Sequence, residues 1–164
     1  MSETSYPDPS ENLGPRRLPP LLRRAWYGLN QVFRQKVSHL ALTPDQFSIL
    51  RWLHEGDPAG LTQRHITDLM ASDPNTITST LARMEKAGLI VRKPHERDRR
   101  AHRVQLLEAG RATFQQAKII AIELQDQVLA SLPPERRECF LEELEIVADA
   151  CAEAIEKASA KKKG

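Results

Sequence analysis

Residues Ser72–Ile90 read SDPNTITSTLARMEKAGLI. Asp73 is suited to cap a helix, because its carboxylate can accept N–H groups of the first turn. Pro74 fits the first helical position, where a missing N–H costs nothing. Gly88 fits the left-handed residue that stops a helix. Between them Ile77, Leu81 and Met84 recur at i, i+4 and i+7 and form one buried stripe. The opposite side carries Asn75, Ser79, Ala82 and Lys86, flanked by Thr76, Thr78 and Arg83. Short polar side chains let a helix backbone sit deep in a DNA major groove, while Arg and Lys meet phosphates or guanine. Taken alone, the same face fits a plain solvated helix, so the flanking segments decide.

Upstream, LTQRHITDLM (Leu61–Met70) predicts a helix of about two turns. Thr62 is its cap, and Leu61 and Ile66 are placed to close over that cap as a hydrophobic staple. Ala71-Ser72 leaves only a tight turn before the next helix, which is a helix-turn-helix arrangement. Before it, LTPDQFSILRWLHEG (Leu42–Gly56) sets Thr43 as cap, Pro44 as first residue and Gln46 as the partner of a capping box. Phe47, Leu50 and Leu53 form its buried stripe.

Downstream, RKPHERDRRAHRV (Arg92–Val104) packs cations between two apolar runs. Leu89–Lys93 reads as a strand, and Ala101–Leu107 as its antiparallel partner, with Val104 and Leu106 inward and Arg103 and Gln105 outward. Residues Pro94–Arg100 form the tip. A hairpin after a helix-turn-helix is a wing, which lies along the duplex backbone and can place an arginine in the narrow minor groove. The wing candidates are Arg97, Asp98, Arg99 and Arg100, with Asp98 suited to hold the Arg100 guanidinium by a paired contact. A solvated charged hairpin explains the loop alone, but it does not explain the loop together with the helix before it.

The remaining chain is helical in pattern. Pro19-Pro20 opens a helix whose apolar positions run Leu22, Ala25, Trp26, Leu29, Val32, Phe33, Val37, Leu40. A long helix after Glu108-Ala109-Gly110 carries Phe114, Ala117, Ile120, Ala121, Leu124 and Val128. Leu132-Pro133-Pro134 breaks it, and a last helix carries Phe140, Leu141, Leu144, Val147, Ala148, Cys151 and Ile155. A winged helix of about 65 residues cannot cover three such stripes. They need one another and a second copy of the chain. A two-fold dimer sets two recognition helices on successive major-groove turns of a pseudo-palindrome.

The 164 residues suit one domain of ordinary size. Charged residues make up 28% and aromatics 5%, and the net charge is only +2. Its distribution is uneven. Arg83, Lys86, Arg92, Lys93, Arg97, Arg99, Arg100 and Arg103 face only Glu85, Glu96 and Asp98 in the same segment, while residues 108–157 are predominantly acidic. A local basic patch of this kind is an electrostatic footprint for nucleic acid.

The two cysteines, Cys139 and Cys151, point about 120° apart on one helix and cannot bridge within it; they read as buried core thiols. No apolar run approaches the ~20 residues of a membrane span, and no signal peptide is evident, so the chain reads as cytoplasmic. His39, His54, His65, His95 and His102 lack metal-ligand spacing, and no cofactor motif, nucleophile constellation or phosphate loop is present. The expectation is no metal, no cofactor and no enzyme.

These features resemble the MarR family of bacterial transcription regulators over roughly residues 18 to 157. The similarity rests on Asp98-x-Arg100 followed by alternation to Gly110, on Asp73–Thr78 with Leu81–Ile90, and on Leu42–Phe47 with Leu50 and Leu53. Two departures stand out: Ser79 where the family often has Arg, and Leu107 where it usually has a capping Thr. The resemblance implies a homodimeric DNA-binding repressor, in some members an activator. It also implies a site for a small, often phenolic or aromatic effector between the dimerisation helices and the DNA-binding lobe. Trp26, Tyr27, His39, Phe47 and Trp52 are the candidates to line it, although aromatic residues at helical spacing usually just pack. Oxidant sensing through an N-terminal cysteine is disfavoured, since none occurs there.

The expected fold is mainly α with a small β-hairpin wing: a winged helix-turn-helix plus long N- and C-terminal dimerisation helices. The expected organisation is a disordered tail at 1–17, an N-terminal dimerisation helix at 18–41, the DNA-binding domain at 42–107, C-terminal dimerisation helices at 108–158 and a basic tail at 159–164. The expected partners are double-stranded DNA, a second copy of the chain and a small aromatic effector, with no membrane. The rival reading is a winged-helix module that binds protein without DNA. It calls for an acidic or apolar outer face on the helix that follows Asp73 and a wing without arginines, and neither is seen.

Overall fold

The computed structural model describes residues 16–94 and 102–161. The first helix, α1 (Leu18–Lys36), starts with Pro at its first turn and is followed by a short 3-10 turn, Ser38–Leu40. The sequence extends this helix to Leu40; the α geometry stops at Lys36 and Ala41 turns left-handed at φ 50. Helix α2 (Pro44–Glu55) begins with the anticipated capping box. The Thr43 hydroxyl accepts the Gln46 N–H at 3.3 Å, and the Gln46 side-chain oxygen Oε1 accepts the Thr43 N–H at 3.0 Å. Gly56 ends it.

A two-residue strand, β1 (Leu61–Thr62), then leads into α3 (Gln63–Leu69), whose cap is the Thr62 hydroxyl. The turn into α4 (Pro74–Lys86) passes through Ala71 at φ 46. At its far end the Gly88 N–H donates to Glu85 O and the Leu89 N–H to Met84 O, both at 3.0 Å. This is a Schellman closure, and Gly88 at φ 71 supplies the left-handed residue it requires. The chain then enters β2 (Ile90–Pro94).

Strand β3 (His102–Leu106) lies between β1 and β2, antiparallel to both. Arg92 is opposite Val104, and Leu61 is also opposite Val104. The sequence reading of a two-stranded wing omitted β1. Leu61–Thr62 is too short for a periodic signal and becomes a strand only by pairing with β3.

Helix α5 (Glu108–Leu129) starts at Glu108, not after Gly110, so Gly110 lies in its first turn. A Cβ on Gly110 would come within 2.1 Å of the Leu89 carbonyl oxygen. That oxygen already accepts the Leu107 N–H at 3.0 Å. Glycine there lets the start of α5 press onto the start of the wing. The position of Leu107 leaves α5 without a capping hydroxyl, but its carbonyl still accepts the first intrahelical bond, from the Arg111 N–H at 3.0 Å.

By its contacts the chain divides into two compact units, residues 1–121 and 122–164. The first has a continuous apolar core that includes Ile49 and Leu50 of α2, Ile66 of α3, Ile77, Leu81 and Met84 of α4, Ile90 and Val104 of the wing, and Phe114 of α5. Phe47 packs tilted against Phe33 and stacks on Phe114, with ring centroids 4.9 and 5.7 Å apart. The second unit contains α6 (Pro134–Lys161), which buries little within the single chain: Phe140, Ile146 and Ile155 are exposed. The expectation of buried thiols is corrected here, since Cys139 and Cys151 are both exposed. The carboxylate of Glu143 beside Cys139 raises the pKa of its thiol. No helix among the described residues is long and apolar enough to cross a membrane.

Candidate nucleic-acid interface

The stripe Ile77, Leu81 and Met84 fixes the rotation of α4 by burying one face. Asn75, Thr76, Thr78, Ser79, Arg83 and Lys86 are all exposed as a consequence. Asp73 caps this helix twice through Thr76: Oδ1 accepts the backbone N–H at 2.9 Å and Oδ2 accepts the hydroxyl at 2.5 Å. The Thr76 hydroxyl, then its N–H, hold the Asp73 carboxyl below its ordinary pKa.

The Thr78 hydroxyl donates to Pro74 O at 2.7 Å and accepts from Gln63 Nε2 at 2.6 Å. The hydroxyl protons of Thr76 and Thr78 are therefore spent inside the protein. What these residues offer outward is methyl groups and acceptor lone pairs, suited to a thymine methyl or to the exocyclic amines of adenine and cytosine. Gln63 was not anticipated from the sequence, nor was Arg64. The bond to Thr78 joins the first residue of α3 to the second turn of α4. It spans fifteen residues, so only the tertiary turn brings the pair together. A cavity of about 550 Å³ opens there, lined by Thr62, Gln63, Arg64, Thr67, Asp68, Pro74 and His102.

The basic patch is less uniform than its composition. The Arg92 guanidinium is held by Glu85. The Arg103 guanidinium donates to Gly60 O at 2.8 Å and has Asp57 at 3.8 Å, while the Gln105 amide donates to Ala59 O at 2.8 Å. The outward residues of β3 thus grip the turn before β1. Gly60 permits that turn: its φ is 94, and a Cβ would come within 2.4 Å of Val104 O. Lys86 and Lys93 remain exposed. The wing candidates Arg97, Asp98, Arg99 and Arg100 lie outside the described residues.

A second cleft, of about 370 Å³, lies where α1, the start of α2 and α4 meet. Its lining includes Trp26, Asn30, Arg34, Asp45, Thr80 and Arg83. Arg83 donates to the nearly buried Thr80 hydroxyl at 3.2 Å. Of the aromatic candidates, Trp26 lines this cleft, and Trp26 with Tyr27 lines a smaller one, of about 270 Å³, beside Arg23, Gln31 and Arg34. Phe47 is committed to the stack with Phe33 and Phe114. Trp52 is half-buried under the Arg51 guanidinium, 4.7 Å from its ring, and His39 is exposed in the 3-10 turn. No group of three or more His, Cys, Asp or Glu is placed to hold a metal among the described residues.

Residues 42–102 match the model of the MarR family. The transcriptional regulator HosA of Escherichia coli is 28% identical over 127 residues, which cover 74% of this chain and 93% of HosA. Among solved structures, the transcriptional repressor CouR bound to a 23-mer DNA duplex is 31% identical, with a TM-score of 0.72, covering 90% of this chain and 99% of CouR. The MepR–DNA complex of S. aureus shares the fold at 22% identity and a TM-score of 0.75, covering 82% of this chain and 98% of MepR.

Proposed function

The chain belongs to the MarR family and is a DNA-binding transcription regulator, not an enzyme; we propose that it acts as a cytoplasmic repressor, binding a pseudo-palindromic operator as a homodimer. The observation that carries this reading is the exposed face of α4, where short polar groups precede Arg83 and Lys86. In this account Asn75, Thr76, Thr78 and Ser79 read base edges in the major groove. Arg83 and Lys86 take phosphates. Arg97, Arg99 and Arg100 reach the minor groove from the wing, with Asp98 orienting Arg100. The homodimer is supported by apolar side chains left exposed in the single chain, among them Leu18, Leu21 and Leu22 on α1 and Phe140, Ile146 and Ile155 on α6. Such faces need a partner.

Release by a small aromatic anion suits the cleft at Trp26. An indole offers a stacking surface, and Arg34 and Arg83 offer donors to a carboxylate. Arg83 belongs both to this cleft and to the DNA-facing side of α4, so ligand and phosphate draw on one side chain.

Titration of a fluorescent operator duplex tests the reading. Arg100→Ala and Arg99→Ala should each weaken binding, and Lys86→Ala, which loses a phosphate contact, should lower the salt slope by about 1. Benzoate should release the wild-type complex and leave an Arg34→Ala complex bound. Unchanged affinity in both wing variants would remove the wing from the interface.

A further inference from the structure

The last turn of α4 carries a carboxylate bonded to the wing instead of to DNA. Glu85 Oε1 accepts the Arg92 backbone N–H at 3.0 Å, and Oε2 accepts the Arg92 Nε–H at 2.9 Å and a terminal guanidinium N–H at 2.5 Å. One carboxylate therefore grips both the main chain and the side chain of β2. Strand β2 is at the edge of the sheet, and Glu85 provides an acceptor for an N–H there. Arg92 accordingly holds the Glu85 carboxyl below its ordinary pKa.

Both side chains are roughly one-third exposed, at 28% and 34%. Ion pairs so exposed contribute little to stability. The turn between α4 and β2 is already fixed by the Schellman closure and by buried Met84 and Ile90. What the fork adds is direction, since a bidentate guanidinium–carboxylate pair constrains angle as well as distance. Each member is followed by an exposed lysine, Lys86 on α4 and Lys93 on β2. Groove spacing in a duplex is fixed, so a helix in one groove and a strand along the backbone must keep a set separation. At about 10 Å from the clamp, a tilt of about 15° moves an atom by about 3 Å, the length of a hydrogen bond.

We propose that Glu85 and Arg92 are positioning residues for DNA binding: their fork sets the separation of Lys86 on the recognition helix from Lys93 at the root of the wing, so that both meet phosphates in one complex. This rests on the DNA-binding reading of α4 and the wing. Removing a carboxylate near a polyanion should tighten binding if charge alone matters; if position matters, it should weaken it.

The test measures operator affinity by anisotropy for wild type, Glu85→Gln, Arg92→Lys and Lys93→Ala, and for Lys93→Ala combined with each of the first two. Circular dichroism melts check that each variant is folded. Glu85→Gln is expected to raise Kd several-fold although it removes a negative charge. Arg92→Lys, which keeps the charge and loses the fork, should do the same. Lys93→Ala should raise Kd in the wild-type background and add little in either clamp variant, because its phosphate contact is already lost. Tighter binding by Glu85→Gln, or a full additive effect of Lys93→Ala in folded Arg92→Lys, would overturn the proposal. Should Glu85→Gln fail to fold, Arg92→Lys carries the test. Wild type that binds no duplex would instead overturn the DNA-binding reading itself.

Discussion

Asp73 both caps α4 and fixes a side chain on its exposed face. Its carboxylate ends the turn of the helix-turn-helix and orients Thr76 on the exposed face of α4. Its folded-state pKa is depressed, so its stabilising effect is full above the pKa of the unfolded chain. That effect is lost as pH falls through the lower folded value. Melting temperatures of wild type and Asp73→Ala should therefore differ by a constant amount from pH 7 down to about pH 4 and converge below it. A gap that already closes near pH 6 would assign the effect to another group. The cap was legible in the sequence because capping is local: Asp73, Pro74 and the stripe Ile77, Leu81, Met84 lie within one segment. The bond from Gln63 to Thr78 was not, because it depends on how α3 meets α4. Nor were the engagements of Arg92 and Arg103, which composition counts as cations of the patch and the fold uses as struts.

At the scale of elements, the wing is anchored at three places besides the Glu85–Arg92 fork. Leu107 N–H to Leu89 O ties its exit to its entrance, Arg103 and Gln105 bind the turn before β1, and α5 packs against Leu89 through Gly110. The last contact gives a physical role to the glycine that closes the family-like wing signature. Gly110→Ala places a methyl where a carbonyl oxygen stands. It should cost about 1–3 kcal/mol, as overpacking of a tight site does, and lower Tm accordingly. Thermal melts that superimpose on wild type would show that α5 can shift without cost. Helices α2, α3 and α4 were readable from periodicity and caps. Strand β1 was not, since Leu61–Thr62 acquires its conformation from β3 and not from its own pattern.

For the whole molecule, the unit ending at Ala121 has a filled core, whereas α6 exposes much of its apolar surface. The stripes Leu22–Leu40 and Phe140–Ile155 were legible as amphipathic patterns. Where each is covered could not be read from them, which is why the cysteines of α6 were misplaced in a core. Equilibrium sedimentation at micromolar concentration should give twice the mass of the 18.6 kDa chain. A folded monomer under those conditions would leave the exposed stripes to another partner. The central claim, that the polar face of α4 reads duplex DNA, is tested most directly by fluorescence anisotropy. The purified protein is titrated onto a duplex from upstream of its own coding region, and onto a scrambled duplex, across a salt series. The account predicts tighter binding to the upstream duplex, one dimer per site, with affinity falling as salt rises. Absence of binding to either duplex at low salt would contradict it.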